Sequence, residues 1–360
     1  MRVSIHSSRD FARWREEALA GEQPSTLPYG LEHLSRLGFE LDQALPPAWL
    51  RRGSAGRLRV LENRLRVRLL GTLAAARTTR RADLALALLE PQSYAYSLLA
   101  SLRLPPWSTT PLAALVCWLA DDFRVAGPKM RAWLRRCVRA TDLFIYLSSN
   151  QRAILRDGLG IPDERLLFVH FGIEADYFTP RTEPPRERYV LSVGLDRARD
   201  YRTFLAAVGR LDHPVKLLCP PVQLAGLDVP RNVEALGFVP KPLYRELLRD
   251  ATVVVVPVQS AVAYPSGQSV LLAAMSCEVP TVVTQTGALA DYTRHAGNTW
   301  TVPGEDPDAL LAGIEKVLGD PQLAAELARG GRQDVLSTFN TAVMWQTIAP
   351  RLRTLVEHRG

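Results

Sequence analysis

The chain has 360 residues, of which 47% are hydrophobic and 22% charged, as is typical of a globular protein with room for two domains. Four widely spaced cysteines without a Cys-x-x-Cys pair argue against a disulfide framework or a zinc site. No apolar run is long enough to cross a bilayer, and Met1–His6 is a short strand pattern without the apolar core of a signal peptide. We therefore expect a cytoplasmic protein.

The net charge of +7 is concentrated in one segment of the first half. Between Arg51 and Arg81 there are ten arginines and one acid, which gives +9 locally and leaves −2 for the rest of the chain. Leucines recur there at helical spacing, at Leu58, Leu61, Leu65, Leu69 and Leu73. We predict a basic amphipathic helix within an insertion of residues 47–81. This helix either lies on an anionic membrane surface or packs its leucines against the core. Binding of nucleic acid is disfavoured, because no aromatic residues alternate with the arginines.

The next segment predicts buried strands that alternate with helices. Ala82–Glu90 is an apolar strand pattern, and a helix follows it. The run from Leu112 to Asp122 predicts a strand that delivers Asp121 and Asp122 to the carboxyl edge of a sheet, where open α/β sheets bind ligands. Asp121 is therefore a candidate catalytic residue, although acid pairs also cap helix starts.

A second α/β unit begins after a polar, Pro-rich linker at residues 181–188. Its first strand ends at Gly194, and Arg197 and Arg199 follow in the next turn. Arginine forks bind phosphate oxygens bidentately, so these two residues are candidates for a diphosphate site. The alternative is a solvated turn.

A buried strand pattern before Pro257 leads to a helix that begins near Gly267. Ser266, Gly267 and Ser269 supply capping groups and bare backbone, and a helix N-terminus of this kind binds anions. On spacing alone, an ordinary βαβ unit with a well-capped helix is the simpler explanation. Farther on, Asp306 is predicted to cap a helix rather than to bind a metal.

The segment around that helix resembles the signature of the retaining GT-B glycosyltransferases of the glycogen-synthase-like clan, family four. The match rests on Leu272, Ala274, Met275, Pro280, Val282, Val283 and Thr284. Residues 160–180 resemble the domain junction of the same clan. The two acidic positions of the signature, however, fall on Pro265 and Ala273.

The resemblance implies an α/β protein of GT-B architecture, with two Rossmann-like parallel-sheet domains facing across a cleft. Residues 1–180 would bind the acceptor, residues 181–340 would bind the nucleotide sugar, and residues 341–360 would form a helix crossing back to the first domain. Arg199 and Arg197 would hold the donor diphosphate, without a metal or other cofactor. The implied donor-binding residues are Gly194, Gly237, Phe238, Val239, Ser266, Gly267, Gln268 and Ser269.

The function implied is transfer of a sugar, with retention, from a nucleotide diphosphate donor to an acceptor hydroxyl. The acceptor would be a sugar, a lipid-linked glycan or a small molecule, in cell-envelope glycan, glycolipid or glycosylated-metabolite synthesis. The enzyme would work in the cytoplasm or at the inner face of the membrane. Two alternatives stay open: a non-catalytic GT-B binding or partner protein, favoured by the missing acids, and a nucleotide-sugar epimerase, which would need acids and a histidine that the motif region lacks.

Overall fold

The computed structural model describes residues 1–45, 56–183 and 187–357. These residues divide into two compact units. The first comprises the described residues of Met1–Arg15, Leu31–Val169 and Trp345–Gly360, and the second comprises those of Glu16–Gly30 and His170–Met344. Each unit contains a sheet of six strands, as the alternation of strand and helix patterns predicted.

The first sheet has the strand order β2-β1-β3-β4-β5-β6, and every pairing in it is parallel. Its central strands are buried along their whole length, because helices cover both faces of a parallel sheet. The strands are β1 (Arg2–His6), β2 (Glu40–Gln43), β3 (Leu84–Leu88), β4 (Leu112–Val116), β5 (Leu143–Tyr146) and β6 (Leu166–Phe168).

Eight α-helices occur in the described residues between β1 and β6. They are α1 (Phe11–Leu19), α2 (Glu32–Arg36), α3 (Gly56–Leu65), α4 (Leu69–Ala74), α5 (Ala76–Arg81), α6 (Glu90–Ser101), α7 (Leu119–Val125) and α8 (Pro128–Val138).

The second sheet is also entirely parallel, with the order β12-β11-β10-β7-β8-β9. Its strands are β7 (Val190–Val193), β8 (Val215–Leu218), β9 (Val233–Ala235), β10 (Val253–Val256), β11 (Thr281–Thr284) and β12 (Trp300–Val302). The later helices are α9 (Tyr201–Val208), α10 (Lys241–Asp250), α11 (Gln268–Ser276), α12 (Pro307–Gly319), α13 (Pro321–Ser337) and α14 (Thr341–Glu357). Asp306 accepts the Ala309 N–H at 2.9 Å at the start of α12, which confirms the predicted cap.

The basic segment is not one amphipathic helix, so that prediction is wrong. The chain leaves α3 at Arg66, whose φ is +55°, and continues as the two short helices α4 and α5. Tertiary contacts hold this break: the Trp133 indole donates to the Leu65 carbonyl at 2.9 Å, and Arg66 pairs with Asp122. The single leucine stripe is therefore broken. Leu65 and Leu69 pack against the core of the first unit, as the core-packing alternative predicted, whereas Leu73 is 45% exposed.

Parts of three predicted segments lie outside the described residues. They are residues 47–55 of the basic insertion, 184–186 of the linker and 358–360 of the last helix. Arg181, within the predicted linker, forms a largely buried ion pair with Asp250.

Candidate functional site

The carboxyl ends of β7 and β10, which are neighbours in the second sheet, carry the candidate site. Gly194 follows β7, and the loop after it pairs with the segment that follows β10. Arg199 forms an antiparallel bridge with Val258, and the Gln259 N–H donates to the Ala198 carbonyl at 2.9 Å. The loop that contains both predicted arginines is therefore fixed at the edge where parallel α/β sheets bind ligands.

Arg199 is buried in this loop, and its side chain is only 3% exposed. Two glycines make room for the guanidinium. A Cβ at Gly194 would lie 2.2 Å from Arg199 Nε, and a Cβ at Gly267 would lie 2.9 Å from Nη1. Within the described part of the chain, Nε and Nη1 have no hydrogen-bond partner. A buried guanidinium with unused donors is suited to an anionic ligand.

Gly267 precedes α11 with φ +84°, a left-handed conformation that favours glycine. The predicted capping role of Ser266 is wrong, because the N-cap residue of α11 is Gly267 and the Ser266 hydroxyl donates to Asp196 instead. Gln268 is buried and Ser269 is exposed. The positive end of the α11 dipole therefore lies beside the Arg199 guanidinium.

Asp196 is the carboxylate of this site, and our sequence reasoning missed it. Its Oδ1 accepts hydrogen bonds from Ser266 Oγ (2.7 Å), Tyr264 OH (2.9 Å) and the Ala198 N–H (3.0 Å). Its Oδ2 lies 3.4 Å from Arg199 Nε. Burial would raise the pKa of Asp196, but the Arg199 charge and these hydrogen bonds outweigh it, so the pKa is lowered and the group is ionised. An acid three residues before Arg199 was the available signal.

The other predicted donor residues lie farther from Arg199 or are solvent-facing. Arg197 is exposed, two residues before Arg199. Gly237, Phe238 and Val239 follow β9, two strands away from β7, which corresponds to about 10 Å across the sheet. Phe238 is 72% exposed. The structure thus brings together Gly194, Arg199, Ser266 and Gly267, and the assigned roles stay predictions.

In the first unit, the predicted strand through Asp122 is wrong, because β4 ends at Val116. Asp121 and Asp122 lie in the first turn of α7, whose N-cap residue is Trp118 and not either acid. Asp121 is 3% exposed and pairs with Arg124 at 2.8 Å. Its catalytic role stays a prediction.

Glu90 is a second buried acid that the sequence reasoning missed, since it was assigned to the end of a strand. The chain turns at Leu89, with φ +74°, and Glu90 begins α6. Its Oε1 accepts the backbone N–H groups of Cys117, Trp118 and Leu119, the last at 2.8 Å. Burial raises the pKa of Glu90, although these hydrogen bonds oppose the rise. An acid directly after an apolar run and before Pro91 was the signal.

No three His, Cys, Asp or Glu side chains form a metal-binding group in residues 1–45, 56–183 and 187–357. In those same residues, no helix has the length and apolar content needed to cross a membrane.

A family model described as "Glycosyl transferases group 1" matches residues 196–334, the region that contains Asp196, Arg199 and α11. An uncharacterized glycosyltransferase of Methanocaldococcus jannaschii is 32% identical over 124 residues. That match covers 34% of this chain and only 30% of the relative.

Solved structures are similar over nearly the whole chain. Sucrose-phosphate synthase from Thermosynechococcus elongatus is 17% identical with a TM-score of 0.73, covering 98% of this chain and 99% of the other. Anabaena HepE, solved in complex with UDP and glucose, is 15% identical with a TM-score of 0.68 and the same coverage. At these identities the comparison establishes the fold. The chain therefore has the GT-B fold, and its residues 196–334 match the glycosyl transferases group 1 family model.

Proposed function

We propose that this protein is a retaining glycosyltransferase that takes a sugar from a nucleoside diphosphate donor. The observation that carries the proposal is the buried Arg199, with unused donors at Nε and Nη1, beside the N-terminus of α11. Both lie within the region matched by the family model. The UDP in the Anabaena HepE complex supports a diphosphate ligand for this fold.

In this mechanism the donor C1–O bond breaks, and the acceptor hydroxyl oxygen bonds to C1 on the same face. The leaving diphosphate gains negative charge, which Arg199 and the α11 dipole stabilise without reorganisation. The diphosphate accepts the proton of the acceptor hydroxyl, so no side-chain base is required. Arg197 and the N–H groups of Gly267–Ser269 would bind the outer diphosphate oxygens, and Gly237–Val239 would contact the base.

Substitution of Arg199 tests the proposal. A thermal-shift screen of the purified protein against nucleoside diphosphates and nucleotide sugars first identifies the ligand. With that ligand, Arg199→Ala should lower turnover and diphosphate affinity by about 100-fold, because a preorganised charged donor is lost. Arg231→Ala, an exposed arginine before β9, is the matched control. Unchanged kinetics for Arg199→Ala would remove this residue from the site.

The acceptor that we propose is a sugar, a lipid-linked glycan or a small molecule. Sugar transfer would take place in the cytoplasm or at the inner face of the membrane. The exposed Arg77, Arg80 and Arg81 of the basic segment suit an anionic lipid surface. Sedimentation with anionic vesicles at low salt tests this partner. Failure to co-sediment would rule it out.

A non-catalytic GT-B binding protein is the second candidate. It is favoured by Pro265 and Ala273 at the two acidic positions, and Ala273 is packed in the core at 1% exposure. Nucleotide release that depends on added acceptor identifies a transferase, whereas binding without release identifies a binding protein. Conversion of the nucleotide sugar without any acceptor would instead indicate an epimerase.

A further inference from the structure

We propose that Asp196 is an internal counter-ion for Arg199. Its carboxylate neutralises the arginine charge in the ligand-free protein, and a bound diphosphate takes over that role. The inference rests on the proposed function, because it concerns the same site. It assigns Asp196 as a positioning residue that acts through Arg199 and sets how tightly the diphosphate binds.

The buried charge of Arg199 needs a counter-ion. Arg199 is a cation whose side chain is 3% exposed, and it lies against Gly267 at the positive end of α11. Burying a charge without a partner costs free energy. Within the described residues, Asp196 is the carboxylate that pairs with Arg199.

Hydrogen bonds hold the Asp196 carboxylate in place. All three donors to Oδ1 come from other parts of the loop or from the turn before α11, namely the Ala198 N–H, Tyr264 OH and Ser266 Oγ. The pairing with Arg199 through Oδ2 is long, at 3.4 Å, and Nε makes no hydrogen bond with it. The contact therefore balances charge but leaves the Nε and Nη1 donors without a hydrogen bond.

A bound diphosphate would compete with Asp196 for Arg199. A diphosphate carries more negative charge than one carboxylate and offers oxygens to the unused Arg199 donors. It must overcome the attraction between Arg199 and Asp196, and it is repelled by the Asp196 charge. Asp196 thus weakens diphosphate binding while it stabilises the protein without ligand, which favours release of the leaving nucleotide.

Asp196→Asn separates these two effects, because the amide keeps the shape and can still accept from Tyr264 and Ser266, but has no charge. We expect the variant to melt a few degrees lower without ligand and to bind inorganic pyrophosphate about 10-fold more tightly. Thermal unfolding and titration calorimetry of the full chain measure both. Asp212→Asn, an exposed acid before β8, is the control and should match the wild type.

Two results would overturn the proposal. Equal or weaker pyrophosphate affinity in Asp196→Asn would show that the carboxylate only supports the loop. Weaker nucleotide-sugar affinity with unchanged pyrophosphate affinity would show that it contacts the donor sugar instead. If Asp196→Asn does not fold, Tyr264→Phe loosens the carboxylate without removing it, and a smaller gain in pyrophosphate affinity is expected; no gain again overturns the proposal.

Failure of the counter-ion proposal can be distinguished from failure of the proposed function. Tighter pyrophosphate binding by Asp196→Asn, with no sugar transfer by the wild type, supports the counter-ion and refutes the transferase. Sugar transfer by the wild type with no affinity gain in the variant does the reverse. No pyrophosphate or nucleotide binding by either protein overturns both.

Discussion

The carboxyl edges of the two sheets each bury an ionisable side chain at the start of a helix, but one is an acid and the other is an arginine. In the first unit, Glu90 accepts the backbone N–H groups of residues 117–119 where α7 begins. In the second unit, Arg199 lies beside the start of α11 with two donors unused. At the first edge, the carboxyl group of Glu90 thus occupies the N-terminus of the helix. At the second edge, Asp196 pairs with Arg199 but leaves Nε and Nη1 without a hydrogen bond.

This difference shows how two similar α/β units acquire different chemistry. A free helix N-terminus attracts anions in either unit. In the first unit Glu90 occupies that role, and His6, which pairs with Ala87 near the end of β3, is also buried. In the second unit glycines at 194 and 267 admit an arginine instead. An anionic ligand is therefore expected at the second edge.

The strongest test of the first edge is Glu90→Ala. One buried and two partly buried N–H groups lose their acceptor. Each orphaned group costs roughly 1–3 kcal/mol, so we expect about 4 kcal/mol less stability. Glu90→Gln retains one oxygen and should lose less. Denaturant unfolding measures the change, with the exposed Glu164→Ala as control. Pyrophosphate affinity should stay at the wild-type value; a loss there would contradict the separation of the two edges.

His6 provides a smaller, pH-dependent test of the same edge. Burial lowers its pKa from 6.5 to about 4. Below pH 6.5 the unfolded chain binds a proton that the folded chain does not, so stability falls as the pH drops towards 4. The expected contribution is about 3 kcal/mol between pH 7 and pH 4.

The measurement is stability against pH for wild type, His6→Gln and the partly exposed control His33→Gln. The His6→Gln curve should be flatter than the other two over that window. Parallel curves for all three proteins would show that His6 is not held neutral.

A smaller effect than at the first edge is expected at the second edge, with Gly194→Ala. The new Cβ would lie 2.2 Å from Arg199 Nε, so the guanidinium must leave its position beside Gly267. We expect about 30-fold weaker pyrophosphate binding, equivalent to about 2 kcal/mol. Gly319→Ala, whose Cβ would have no neighbour within 4 Å, is the control. Wild-type affinity in Gly194→Ala would show that the Arg199 position does not matter.

Much of this architecture was predictable, because it depends on local patterns. Apolar runs such as Val253–Val256 predicted buried parallel strands, and glycine after β7 and before α11 marked the two turns of the site. Arg199 was predicted because it follows such a turn. The single helix across the basic segment failed, since the contacts of Leu65 and Arg66 with residues far along the chain break it.

The sequence by itself determined the alternation of strands and helices in two units, the glycine turns and the Asp306 cap, because periodicity and capping act between residues a few positions apart. Only the tertiary structure decided the strand order and the partners of the buried charges. Asp196 meets Tyr264 and Ser266 across about 70 positions, and Glu90 meets Leu119 across 29. Such pairings depend on which strands become neighbours in a sheet, and no local pattern specifies that.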